Sequence, residues 1–144
     1  MIQQDTVRLL RECSAGAQMG IDALKDVMNH AHGRKLRDDL ETAKQDHERL
    51  KEEIETQLHR FQDQDKTPPA MASAMSWIKT KAELALDDSD HTVSSLITDG
   101  CNMGVKSLSG YLNKYEAADE KSKDCAKKLI AMEETLVQQV RPYL

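Results

Sequence analysis

Apolar side chains recur at alternating spacings of three and four in four long windows, the period of an amphipathic helix. The first window runs from about Thr6 to Ala31, with the stripe Val7, Leu10, Ser14, Ala17, Ile21, Leu24 and Met28. The second runs from about Arg34 to Gln64, with Leu36, Leu40, Ala43, His47, Leu50, Ile54, Leu58 and Phe61. It is the cleanest signal in the chain. Its other face carries Arg37, Asp38, Glu41, Lys44, Glu48, Lys51, Glu52 and Glu55. That face reads as solvated, with i,i+4 ion pairs worth ~0.2–0.5 kcal/mol each. The third window, His91 to Tyr115, has Val93, Leu96, Ile97, Cys101, Val105, Leu108 and Leu112. The fourth, Glu120 to Val140, has Cys125, Leu129, Met132, Leu136 and Val140.

Local chemistry punctuates these windows. Asp5 or Thr6 is expected to cap the first helix, Ser89 or Asp90 the third and Asp119 the fourth. Gly33 suits a tight turn after the first, and Pro142 stops the last. Residues 63–69 read as a linker in which Thr67 and Pro68 or Pro69 start a shorter helix. That helix covers about Ala70–Ala85, with Met71, Met75, Ile78 and Ala82 on one side and Trp77 beside them. The short first and last connections make two antiparallel hairpins. The middle connection, about 25 residues with its own helix, is long enough to return along the bundle. The second and third long helices should then be parallel. The expected organisation is one all-α domain over residues 1–144: a hairpin (6–64), a crossover (65–88) and a second hairpin (89–141).

The two hairpins are related. Gly16–His30 and Gly100–Lys114 align without a gap at an offset of 84 residues. Gly16/Gly100, Met19/Met103, Gly20/Gly104, Leu24/Leu108 and Asn29/Asn113 are identical pairs. Glycine inside a helix costs about 0.5–1 kcal/mol relative to Ala, so four at matching positions need a reason. Close backbone contact between the first and third helices at Gly16, Gly20, Gly100 and Gly104 is the expected one. A kink or a ligand-facing gap is the alternative.

Composition narrows the class. Aromatics are 3% of the chain and charged residues 31%, which favours an all-helical protein. Net charge is −5 with the signs interspersed and no basic block, so nucleic acid and anionic membrane are not expected partners. No basic stretch followed by an apolar run opens the chain, and no segment approaches a membrane span. Three cysteines, Cys13, Cys101 and Cys125, form no CxxC and suit free thiols in a reducing cytoplasm.

The duplicated hairpin, the helix lengths and a crossover carrying Met75-Ser-Trp-Ile-Lys79 together resemble the ferritin-like superfamily. The chain is most similar to its small stand-alone bacterial four-helix branch of unknown function. The resemblance implies a bundle with a long crossover between helices 2 and 3. Active members hold two irons with one Glu from each of two helices and a Glu-x-x-His from each of the others. Here the slots on helices 1 and 3 fall at Gln18 or Met19 and at Asn102 or Met103. His47 stands on helix 2 with Lys44 three residues earlier. Glu133 stands on helix 4 with Ile130 three earlier. Neither an intact di-iron site nor any cofactor is expected. Iron or manganese at His47 and Glu133 is the alternative.

His47 is the most informative polar residue, because it occupies a core slot at mid-bundle. It reads as a buried histidine bonded to Gln18, Asn102 or Glu133, as a single-metal ligand, or as a pH sensor paired with Glu133. Met19 and Met103 read either as filling for the absent ligands or as a homodimer surface. Trp77 reads as docking the crossover or as part of that interface. His30 and His32 lie in a turn without further ligands. The first function class is a non-catalytic structural or stress-related interaction protein, a homodimer or one with a protein partner. The second is an atypical metal-binding oxidoreductase, and the third is phosphotransfer at His32 or His47.

Overall fold

A computed structural model describes residues 2–61, 84 and 86–144. The described residues form four long helices and no strand: α1 (Ile2–Met28), α2 (Arg34–His59), α3 (Asp90–Lys114) and α4 (Glu120–Val140). A 3-10 turn, Arg141–Tyr143, follows at Pro142, whose ring cannot continue the helix. The linker, the expected short helix and Trp77 lie outside the described residues.

Two expectations at helix ends are corrected. Asp5 and Thr6 do not cap α1, which begins at Ile2, ahead of them. Their side chains instead accept the backbone amides of Ala117 (3.1 Å) and Asp119 (2.7 Å) in the α3–α4 turn. Gly33 has extended backbone as the N-cap of α2, so its need for glycine is not a positive φ. A Cβ there would stand 2.9 Å from a carboxylate oxygen of Asp90. Ser89 caps α3 by accepting from the Thr92 amide, and Asp119 caps α4 by accepting from the Ser122 amide.

The end contacts settle the directions. The start of α1 meets the end of α3 through Asp5 and Thr6. The turn after α1 meets the start of α3 through Asp90, which accepts from the His32 and Gly33 amides at 2.6 and 2.9 Å. Helices α1 and α3 are therefore antiparallel, α1 and α4 parallel, and α2 and α3 parallel. Helix α1 packs on α2, α3 and α4, and α4 packs on α3, α2 and α1. This leaves α2 and α3 on the longer diagonal.

Packing on three neighbours broadens the buried face of α1. Leu9, Cys13, Ala23 and Val27 join Val7, Leu10, Ala17, Ile21 and Leu24 inside. A stripe drawn for one partner face misses these four. The core divides along the bundle axis. One cluster gathers Leu9, Leu10, Cys13, Leu50, Ile54, Cys125 and Leu129. The other gathers Leu24, Val27, Leu36, Leu40, Leu84, Val93, Ile97 and Leu136. Between them lies a polar layer.

Candidate functional site

The polar layer is built by one residue from each second helix of a hairpin. His47, on α2, is 1% exposed, and Glu133, on α4, is 8% exposed. His47 Nε2 lies 2.6 Å from Glu133 Oε1. His47 Nδ1 lies 2.6 Å from the carbonyl oxygen of Ala43, one turn earlier in the same helix. A carbonyl can only accept, so Nδ1 carries a proton. Burial works against a charged ring. The bond to Glu133, its negative charge, the Ala43 carbonyl and Asp46 work for it. The balance holds the His47 pKa above the ordinary histidine value.

Cys101 of α3 lies in the same layer as Glu133. Burial first, then the nearby Glu133 carboxylate, push its thiol strongly upward, away from the nucleophilic thiolate. Cys13 is likewise raised, by burial, Cys125 and Glu12. All three cysteines are free and buried.

The duplicated glycines belong to the same layer. A Cβ on Gly20 would stand 2.7 Å from His47 Cδ2 and 3.0 Å from Nε2. A Cβ on Gly104 would first meet Glu133, at 3.7 Å. Each glycine thus faces the charged residue of its own hairpin. Gly16 and Gly100 join them around a small cavity of about 40 Å³, which His47, Cys101 and Glu133 also line. The cavity lies beside the His47–Glu133 pair.

Other candidates disperse. Gln18 donates to Asp22 on the surface and has no bond to His47. Asn102 is exposed. Met19 is half-buried against the core, whereas Met103 is 47% exposed. The repeat makes them equivalent in sequence, yet they are not equivalent in environment. His30 Nδ1 and His32 Nε2 meet a partner 58 and 56 residues away, lying 3.1 and 3.3 Å from one oxygen of Asp88. This cluster clasps the α1–α2 turn to the start of α3. Among the described residues, no group of three or more His, Cys, Asp or Glu is arranged to hold a metal ion.

Sequence reasoning missed four participants: Cys101 beside Glu133, Gly20 as the seat of the His47 ring, and Asp88 and Asp90 as more than a helix end. Placing α2 over α4 at the 86-residue offset that separates His47 from Glu133 aligns the helix starts, Arg34 and Glu120. It also superposes Leu36, Leu40, Leu50 and Ile54 on Ser122, Ala126, Leu136 and Val140, all of them buried. At that offset His47 and Glu133 stand at corresponding positions of their helices, with Leu36 and Leu40 opposite the smaller Ser122 and Ala126. No family model, curated protein or solved structure matches the chain, so the geometry carries the functional argument.

Proposed function

We propose that the chain is a ferritin-like bundle whose centre is closed by an internal ion pair, and that it acts by binding rather than by catalysis. One observation carries this reading. Both imidazole nitrogens of His47 are already engaged, by Ala43 and by Glu133. The donor set does not fit a di-iron group. Such a group needs several carboxylates besides imidazole, and the remaining slots hold Gln18, Met19, Asn102 and Met103.

The parallel run of α2 and α3 and the duplicated hairpin support the ferritin-like kinship, crossover included. Three free buried cysteines support a reducing, cytoplasmic setting for a structural or stress-related interaction protein. No described helix is long and apolar enough to cross a membrane. A homodimer would use the α3 face around Met103, the more exposed of the two duplicated methionines. Met103→Glu should then shift the solution mass of a dimeric wild type towards monomer, and an unchanged mass removes this face.

The test of the main reading is metal analysis of protein purified from cells supplemented with iron and manganese. No stoichiometric metal is expected. Stoichiometric iron or manganese that disappears in His47→Ala would replace this reading with the metal-binding oxidoreductase.

A further inference from the structure

We infer that the cavity between α1 and α3 is a binding site for a small neutral alcohol, whose hydroxyl donates to Glu133 and whose carbon chain lies against the apolar walls. The inference rests on the reading that the centre holds no metal. Helices α1 and α3 each bring two glycines to the cavity, Gly16 and Gly20, Gly100 and Gly104, all half-buried. Its innermost residues are His47 and Glu133, both buried. The mouth therefore lies at the seam between the two helices and the floor at the polar pair.

The floor decides the polar chemistry. Glu133 Oε1 is engaged by His47 Nε2 at 2.6 Å. Oε2 is turned towards Gly104, where an added Cβ would stand 3.7 Å from it. Among the described residues no N–H or O–H group donates to Oε2, and the neighbouring Cys101 thiol is only a weak donor. A buried acceptor of this kind calls for a donor. Nitrogen and oxygen 2.6 Å apart hold a proton between them, because two bare lone pairs would repel, and Nδ1 keeps its own proton against Ala43. The pair as a whole thus has no net charge, whichever atom holds the shared proton, and Oε2 accepts in both cases. An alkylammonium would bring an uncompensated charge into this site, a cost that a hydroxyl avoids.

The walls and the size decide the rest. Met19, Leu24, Ile97, Leu108 and Leu129 line the cavity. Mid-helix backbone groups of α1 and α3 are already paired within their own helices. A volume of about 40 Å³ holds about three water-sized atoms. That many waters would each need about two to four polar partners, and the lining offers them little beyond Oε2. Two carbons and one hydroxyl need a single acceptor and bury the remainder against the walls, so ethanol is the fitting probe. Three non-hydrogen atoms limit the affinity to about the millimolar range.

The experiment is an ethanol titration of the full chain as purified, followed by amide and methyl NMR spectra. Saturable shifts should be confined to amides around Gly20, Gly100 and Gly104, with NOEs from ethanol to the methyl groups of Met19, Ile97 and Leu108. Gly104→Ala should abolish saturation, because its methyl occupies the space against Oε2 that the hydroxyl needs. Gly110→Ala, on the same helix with nothing within 4 Å of its Cβ, should leave binding unchanged. Linear shifts spread over the surface, saturation that persists in Gly104→Ala, or long-lived water that ethanol does not displace would each overturn the inference. Metal content is measured on the same sample. Stoichiometric metal there overturns the reading of the centre, whereas absent ethanol binding in a metal-free sample overturns this inference alone.

Discussion

Gly20 and Gly104 are identical in the repeat, yet alanine should act on them with opposite signs. At Gly20 the new Cβ would lie 2.7 Å from His47 Cδ2 and 3.0 Å from Nε2. The ring is held at 2.6 Å on both sides, so it cannot swing away without stretching a bond to Ala43 or Glu133. Overpacking of this kind costs about 1–3 kcal/mol. The helix recovers about 0.5–1 kcal/mol from losing a glycine, which leaves a net loss centred on about 1 kcal/mol and reaching about 2.5 kcal/mol. At Gly104 the nearest atom would be at 3.7 Å, an ordinary contact, and the methyl would enter the space beside the cavity. There only the helix term remains, a gain of about 0.5–1 kcal/mol. Thermal and urea unfolding followed by circular dichroism should separate the two variants by about 2 kcal/mol, or ~4–8 °C in midpoint. Gly20→Ala as stable as Gly104→Ala would refute the claim that the Gly20 gap exists to seat the His47 ring.

Two further outcomes follow from the same bonds. The folded-state pKa of His47 is raised, so its contribution is fully present below the unfolded histidine value and is lost as pH rises through the folded one. The stability advantage of wild type over His47→Gln should therefore shrink as pH rises above the ordinary histidine value, as urea midpoints measured at increasing pH would show. Asp90 accepts two backbone amides of the α1–α2 turn, and Asp90→Ala leaves both without that partner. A loss of about 1–3 kcal/mol is expected, with faster amide hydrogen exchange at His32 and Gly33. Unchanged exchange there would mean that the clasp is not what orders the turn.

Helix periodicity carried the local structure to within a few residues. Bounds for α3 and α4 follow from Ser89, Asp119 and Pro142, whose chemistry acts over one turn and is therefore written locally. The duplication and the core slot of His47 were equally legible, because both are spacings along one chain. Which partner His47 chooses is not a spacing. Gln18, Asn102 and Glu133 were all eligible by sequence, and the register between α2 and α4 brought only Glu133 into reach. Tertiary packing also broke the equivalence of Met19 and Met103, half-buried and exposed respectively. It turned Asp5, Thr6 and Asp90 from expected caps of their own helices into clamps on distant turns. The physical reason is range: periodicity and capping are settled within a few residues of a helix, whereas a buried charge is settled by whatever group the packed helices bring within hydrogen-bonding distance of it.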